Sequence, residues 1–347
     1  MSIKEQVRAL WTMCFDDTEE FVDLYFRMRY TDHINCVVEK DGKVISALQM
    51  IPYSMTYGGI LLPVSYISGA CTHPVYRNQG AMRLLLKQAH RRMYEEGIMF
   101  STLIPAEEWL KSYYARAGYA TCFHVEVEKK VINSSVQLVD NSCSAWNIHS
   151  IHRQSSDFKT VYRFFDEQMR LRPCCIQHTS DDFELILADL ELSGGACWAI
   201  HYIDRLVGVV FCLPHAQQLE IKEMLLLPDV SSAIVLSLLG SYYHIYAVEL
   251  TLPPVSGLLM DLGMARVIHA EACLRHYAGQ HPEEKFCLCV QGDEAIPENN
   301  GYYRIEGGEC HRLADTDPLS SCLTCHISSL TRLLLEKERP YMSLMLN

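Results

Sequence analysis

With 347 residues, 49% of them hydrophobic, and a formal net charge of −12, the chain can bury a sizeable core, has room for two or three domains, and is neither disordered nor fibrous. The acidic balance argues against nucleic acid and anionic membrane surfaces as partners, since both are gripped by clustered Lys and Arg, and it suits a cationic substrate. Fifteen Cys, with no apolar leader after Met1-Ser2-Ile3-Lys4, predict a reducing, cytoplasmic setting in which the thiols stay free and pack as small hydrophobes.

Two amphipathic helices open the chain. Val7, Leu10 and Met13 recur at turn spacing, and Asp16 and Asp17 precede Phe21, Leu24, Tyr25 and Met28. Apolar, β-branched runs over Asn35–Glu39 and Val44–Tyr53 follow, joined by Asp41-Gly42, a dipeptide at ease at positive φ and so suited to a tight hairpin. Gly58-Gly59 turns the chain into a further strand, Leu61–Cys71. The stretch Thr72-His73-Pro74-Val75-Tyr76-Arg77-Asn78-Gln79-Gly80 then leads straight into an amphipathic helix. Met82, Leu85, Leu86, Ala89 and Met93 form its apolar stripe, and Arg83, Lys87 and Arg91 line another face. A strand over Ile98–Ile104 comes next, then a helix with Glu107 and Glu108 in its first turn. Gly118 gives that helix its exit, and a strand over Tyr119–Val127 closes the pattern.

A strand that ends in a basic, glycine-containing loop and runs into a helix makes an anion site, because free backbone N–H groups at the helix start converge on one point. Here the segment resembles the acetyl-CoA-binding motif of the GNAT acetyltransferases, usually Arg/Gln-x-x-Gly-x-Gly/Ala and present as Arg77-x-x-Gly80-x-Met82. The preceding Gly69-Ala70-Cys71-Thr72-His73-Pro74 is similar to the family's central strand. Likewise Tyr114-Ala115-Arg116-Ala117-Gly118-Tyr119 is similar to its Tyr-x-x-x-Gly-Phe/Tyr signature. The resemblance implies acetyl-CoA as co-substrate, contacted by Ala70, Cys71 and Thr72 on the strand and by Arg77, Asn78, Gln79, Gly80, Ala81 and Met82 on the loop. It further implies direct attack of an amine on the thioester, with Tyr114 as general acid to the departing thiolate; Tyr113 is the adjacent rival. Met82 departs from the motif, which has a small residue there, and its place on the apolar stripe predicts a side chain turned into the core.

Past Glu128 the composition loosens into a linker around residues 129 to 147. Helices over Phe158–Met169 and Asp181–Leu192 and strands over Cys197–Ile203, Leu206–Leu213 and Leu219–Leu227 then repeat the opening order, as an internal duplication would. Where a second phosphate loop should follow, Pro228-Asp229-Val230-Ser231-Ser232 has neither Arg nor Gly. Ser231–Val248 lacks charged residues but reads as a buried helix running into a strand rather than a membrane span. A helix over Ala265–Tyr277, strands near Phe286–Gln291, Gly301–Ile305 and Leu319–Ile327, and a last helix over Ser328–Glu336 complete the expectation.

The fold class is therefore α+β: a mixed, mostly antiparallel GNAT sheet flanked by helices over 1–130, a degenerate second GNAT-like lobe over 148–256, and a small α+β domain over 257–347. This order resembles the enhanced intracellular survival (Eis) type of GNAT protein, whose last domain is similar to sterol carrier proteins. That resemblance implies an N-acetyltransferase of small cationic amines or Lys side chains and self-association into a homo-oligomer. It also implies a C-terminal carboxylate, here that of Asn347, that helps manage the amine's proton, with Tyr341, Leu344 and Leu346 as anchors. The acceptor pocket is expected near Tyr25–Tyr30 and Glu107–Trp109.

Several rival patterns weigh less. Cys322-Leu323-Thr324-Cys325-His326 has the haem-attachment spacing and, with Cys287, Cys289, Cys310 and His311, the residue types of a zinc site. Strand alternation sets Cys322 and Cys325 on opposite faces, so buried thiols and no metal are expected. The Cys174-Cys175 pair and Cys71 carry no sequence sign of a lowered thiol pKa. Arg83, Lys87 and Arg91 read as a solvated face that could also meet a ribose phosphate. The alternative from a different class is a CoA-binding sensor or regulatory module without catalysis.

Overall fold

A computed structural model describes residues 1–132, 145–255, 258–314 and 322–346. The linker stretches Asn133-Ser134-Ser135 and Asp140-Asn141-Ser142, the start of the strand expected from Leu319, and Asn347 lie outside the described residues. The protein is mixed α+β, with mostly antiparallel sheet flanked by helices. It divides into two compact units, Met1–Phe123 with Asp261–Pro340, and His124–Met260 with Tyr341–Leu346.

The first unit opens with α1 (Ile3–Cys14) and α2 (Glu19–Met28). A reciprocal capping box between Ser2 and Glu5 starts α1, and Trp11, rather than the exposed Met13, completes its buried face with Val7 and Leu10. The hairpin of β1 (Asn35–Lys40) and β2 (Lys43–Tyr57) turns on Asp41 and Gly42, at φ of 51° and 72°, the left-handed pair that a type I′ turn demands. Then come β3 (Ile60–Thr72), α3 (Ala81–Glu95), β4 (Phe100–Leu103), α4 (Glu108–Arg116) and β5 (Ala120–Val131), within which the chain passes to the second unit.

The second unit runs β6 (Trp146–Ile151), α5 (Phe158–Arg170), β7 (Cys175–Gln177), α6 (Ser180–Leu192), β8 (Ala196–Tyr202), β9 (Arg205–Pro214), β10 (Leu219–Leu226), α7 (Ser232–Tyr243) and β11 (Ala247–Leu252). The strands β8, β9 and β10 pair antiparallel in sequence, and β10 pairs parallel with β11 across α7. In the first unit β1, β2 and β3 pair antiparallel and β3 pairs parallel with β4 across α3, so one connectivity occurs twice. The tail is fastened within the second unit. Tyr341 N–H donates to the Cys174 carbonyl (2.9 Å), Ser343 Oγ to Glu223 Oε2 (2.6 Å), and Arg172 grips the buried Glu223 through both oxygens at 2.8 and 2.9 Å.

The chain returns to the first unit with β12 (Leu259–Val267), α8 (Ala270–Gln280), β13 (Phe286–Val290), β14 (Gly301–Glu306), β15 (Glu309–Leu313), β16 (Leu323–Cys325) and α9 (Ile327–Leu335). The helix expected from Ala265 starts only at Ala270. Met264, Ala265, Arg266 and Val267 are instead a central strand antiparallel to β4, and all four are buried. Burial on both faces removes the alternation that marks a strand, and Met, Ala and Arg are good helix formers, so position in the sheet overrides local preference.

Arg266 anchors this strand. Its Nη2 donates to both oxygens of Asp293 (2.7 and 2.9 Å) and its Nη1 to the Ala117 carbonyl (2.8 Å), with the Arg and Asp side chains 2% and 1% exposed. Asp293 also accepts from the Ile296 N–H and the Asn299 amide, each at 3.0 Å. Removing one member of such a buried pair strands the other without compensation. Arg266→Leu is therefore expected to lower the opening free energy of β12 amides, read by native-state hydrogen exchange, by about 3–5 kcal/mol.

Candidate active site

The site begins with a bend in β3. Its ladder to β4 runs Val64–Phe100, Ser65–Ser101, Tyr66–Thr102 and ends there, while β3 itself continues to Thr72. On the other edge the register to β2 jumps from Ser68–Gln49 to Cys71–Ala47, a β-bulge in which Gly69 and Ala70 oppose Leu48. Gly69 has φ of 57°, and a β-carbon there would lie 2.0 Å from the Trp11 ring. Only glycine permits the bulge, and the bulge turns the end of β3 away from β4 and opens a wedge between them.

Beyond Thr72 a short 3₁₀ turn, Pro74–Tyr76, leads to Asn78 and Gly80, both left-handed at φ of 61° and 84°. A β-carbon at position 80 would meet only open space, so the backbone angle, rather than crowding, requires glycine. Gly80 is the N-cap of α3, no side chain caps that helix, and the first N–H to find an intrahelical carbonyl is that of Leu84. The Ala81, Met82 and Arg83 N–H groups therefore point out of the helix end as donors for an anion. Arg77 lines the same cleft, but its guanidinium is engaged by the loop's own surroundings. Its Nε donates to the Thr72 carbonyl (3.1 Å) and its Nη2 lies 3.7 Å from Cys14 Sγ, so it braces the loop against β3 and the end of α1. Gln79 reinforces the turn by donating to the Val75 carbonyl at 2.9 Å.

The loop and the first turn of α4 enclose a cleft of ≈ 630 Å³. It brings together Ala70, Thr72, Arg77, Asn78, Gln79, Gly80, Ala81, Met82 and Tyr114 of the residues picked out by sequence, with Trp109 and Tyr113 beside them. Met82 is half-buried and does both things open to it, packing on the core cluster around Leu85 and Tyr114 while forming part of the cleft wall. Cys71 is not in the wall; it is buried and faces Cys14. Tyr25 and Tyr30 are buried in the aromatic cluster of α1 and α2 rather than in the cleft.

Three tyrosines meet here in edge-to-face contacts, Tyr113 with Tyr114 and Tyr114 with Tyr119. The Tyr119 hydroxyl is committed, 2.7 Å from Ser101 Oγ and 3.0 Å from His90 Nε2. The Tyr114 hydroxyl has no hydrogen-bond partner among the described residues, and burial pushes its pKa up to about 12. Tyr113 is half-exposed, with the Arg116 guanidinium over its ring at 5.7 Å.

The thiol that the sequence reading missed is Cys14. A hydrogen bond from Cys71, and after it the guanidinium of Arg77, pull its pKa down to about 6, while the same hydrogen bond and burial push Cys71 up. Nothing near Cys14 in the chain signals this, because both partners are contributed by the far end of β3. Elsewhere burial raises Cys175 to about 12 and Cys325 to about 11. Among the described residues no three His, Cys, Asp or Glu side chains are grouped so as to hold a metal ion. Among the same residues, no helix is long and apolar enough to cross a membrane.

The corresponding turn of the second unit, before α7, holds Asp229 near Arg205 (4.0 Å) and no glycine. A carboxylate at a helix start repels a phosphate, so this turn lacks the anion-binding character of its counterpart.

Bulged strand, left-handed loop and capless helix follow one another along a single stretch of the first unit. Residues 2–122 match the acetyltransferase (GNAT) domain family. The whole chain is similar in fold to a GCN5-related N-acetyltransferase from Anabaena variabilis, at 17% identity and a TM-score of 0.76, over 97% of this chain and 96% of that one. A GCN5-related N-acetyltransferase from Kribbella flavida is 15% identical with a TM-score of 0.75, over 99% and 95%. Eis1 from Mycobacterium abscessus is 13% identical with a TM-score of 0.71, over 96% and 87%. No curated protein matches the chain.

A lowered pKa populates the thiolate above its value, so Cys14 is expected to be the first cysteine alkylated by iodoacetamide at pH 7. Its rate should climb through pH 6 and level off above, read by peptide mass spectrometry across a pH series.

Proposed function

We propose that the protein is an acetyl-CoA-dependent N-acetyltransferase that moves an acetyl group to a primary amine by direct attack. The observation that carries the reading is the unpartnered Tyr114 hydroxyl, set in a cleft whose lining also includes Ala81, Met82 and Arg83, the residues with free N–H groups at the start of α3. Those N–H groups suit the diphosphate of CoA, and the wedge where β3 parts from β4 suits an extended pantetheine arm. Acetyl-CoA supplies the activated acyl group. This chain's part is to align it and to manage protons: the amine nitrogen bonds to the acyl carbon, the carbon–sulfur bond breaks, and Tyr114 gives its phenolic proton to the sulfur. Because Tyr114 titrates only near 12, it keeps that proton throughout the neutral and mildly alkaline range. On the family resemblance, the Asn347 carboxylate is assigned to take up the amine's proton. The acidic net charge favours small cationic amines or Lys side chains as acceptors.

The test is release of free CoA thiol from acetyl-CoA across polyamines, aminoglycosides and Lys peptides. Tyr114→Phe is expected to lower kcat by about 10²- to 10⁴-fold with little change in KM for acetyl-CoA, and Tyr113→Phe to retain most activity. The wild-type rate should show no alkaline decline assignable to Tyr114 up to about pH 10, since its proton is lost only near 12. Tight CoA binding with no amine-dependent thiol release would instead favour the non-catalytic module.

A further inference from the structure

Cys14 is the last residue of α1 and Cys71 the last but one of β3, and the first unit sets their thiols together beside the loop of residues 77–80. Cys71 donates its S–H to Cys14 Sγ. The same sulfur lies 3.5 Å from the Thr72 carbonyl and 3.7 Å from Arg77 Nη2. Arg77 has no ion pair with a carboxylate among the described residues, so the Cys14 sulfur is the anion that its guanidinium faces. The two thiols are held unequally. Cys71 is buried, and its carbonyl accepts from Ser46 Oγ at 2.9 Å, whereas Cys14 is half-buried at a helix end, where Phe15 already leaves the helix as extended backbone. The cysteine that solvent reaches is thus also the one free to shift. Cys287 and Cys322 are hydrogen-bonded as well, but there burial and then the second thiol push Cys287 up to about 11, outweighing the nearby Arg304.

We propose that Cys14 and Cys71 form a dithiol site oxidised by hydrogen peroxide, whose closure to a disulfide takes Cys14 off Arg77 and loosens the loop of residues 77–80. The Cys14 thiolate attacks one peroxide oxygen: an S–O bond forms, the O–O bond breaks, and the departing hydroxide takes up a proton and leaves as water. Cys71 then attacks the sulfenic acid so made. The S–S bond forms, the S–O bond breaks, and the hydroxide carries off the Cys71 proton as a second water. Each sulfur gives up one electron, and the peroxide takes both. The order follows from the contacts, since the hydrogen bond from Cys71 and the guanidinium of Arg77 hold the Cys14 pKa down to about 6 while Cys71 keeps its proton. In the disulfide Cys14 carries no charge, and Arg77 is left with its 3.1 Å bond to the Thr72 carbonyl. A loop braced at two points becomes braced at one, without the charge-assisted contact. The N–H groups of Ala81, Met82 and Arg83 come directly after this loop, so the disulfide also weakens the hold on acetyl-CoA; that consequence alone rests on the acetyl-CoA reading of the cleft.

Equimolar hydrogen peroxide added to the reduced, full-length protein, followed by non-reducing peptide mass spectrometry, tests the chemistry, and hydrogen exchange over residues 72–80 tests the coupling. The expected first product is a cross-linked pair of Cys14 and Cys71 peptides that dithiothreitol reverses. In that form the Tyr76 and Arg77 amides should exchange about 10-fold faster than in the reduced protein, as the loss of one hydrogen bond to a charged group would give. Cys71→Ser, which keeps Cys14 and Arg77, should stop at a Cys14 sulfenic acid that dimedone labels. Calorimetry should find acetyl-CoA bound about 3- to 10-fold more weakly by the oxidised form. Oxidation of other cysteines ahead of Cys14, or a Cys14–Cys71 disulfide that leaves loop exchange unchanged, would overturn the proposal. If the disulfide forms and the loop exchanges faster while acetyl-CoA binds neither form, the dithiol site stands and the acetyl-CoA reading falls.

Discussion

A β-carbon at position 69 would lie 2.0 Å from the Trp11 ring and 2.4 Å from the Gln49 amide oxygen, so β3 can bulge there only as glycine. The rest of the site follows from that contact. The bulge sends β3 off the line of β4, the strands part after Tyr66–Thr102, and the chain reaches the start of α3 from a direction that only two left-handed residues, Asn78 and Gly80, can turn. Trp11 is itself fixed from three sides, ringed by Phe15, Tyr25 and Phe26 and donating its indole N–H to Asp17 at 2.7 Å. The two opening helices are therefore the support that holds the wedge open, and a defect in their aromatic packing would be felt in the cleft.

Electrostatics divide the work along α3. At its start the donors are backbone N–H groups, whose number and direction are set by the fold and which titrate at no accessible pH. Over the first two turns side chains join them, Arg83 and Lys87, without ion-pair partners among the described residues while Arg91 and Arg92 further along are tied to carboxylates. Arg77, the one charged residue inside the motif, is spent on holding the loop to Thr72 and Cys14. The positive charge at the start of α3 therefore comes from backbone N–H groups and unpaired side chains of one helix in a chain of net charge −12.

Much of this was legible in the sequence. The Asp41-Gly42 turn, the strand into Thr72, the Arg77–Gly80 loop and the Tyr114–Gly118 spacing are all local patterns, each needing only a few neighbouring residues, and the structure brings the loop and Tyr114 into one cleft. What stayed hidden depends on partners distant in the chain. Arg266 reads as part of a helix until Asp293 and the Ala117 carbonyl are known to face it. Cys14 reads as one buried thiol among many until β3 delivers Cys71 and Arg77 beside it. Short strands such as β7 and β15 carry too few residues for alternation to emerge.

Gly118 shows how the two kinds of information join. Its spacing from Tyr114 marks a helix exit, and its φ of 90° fits that reading, yet crowding is the stronger constraint: a β-carbon would stand 2.0 Å from Arg266 Nη1. The glycine thus lets the end of α4 close onto the guanidinium that its neighbour Ala117 binds, and α4 carries Tyr113, Tyr114 and Arg116. Through that junction β12 and the Asp293 turn, contributed from beyond residue 260, set the position of the helix bearing the proposed acid. The C-terminal part of the first unit is consequently a support for the proposed catalytic helix, and its loss would misplace Tyr114 without touching the loop from Arg77 to Gly80.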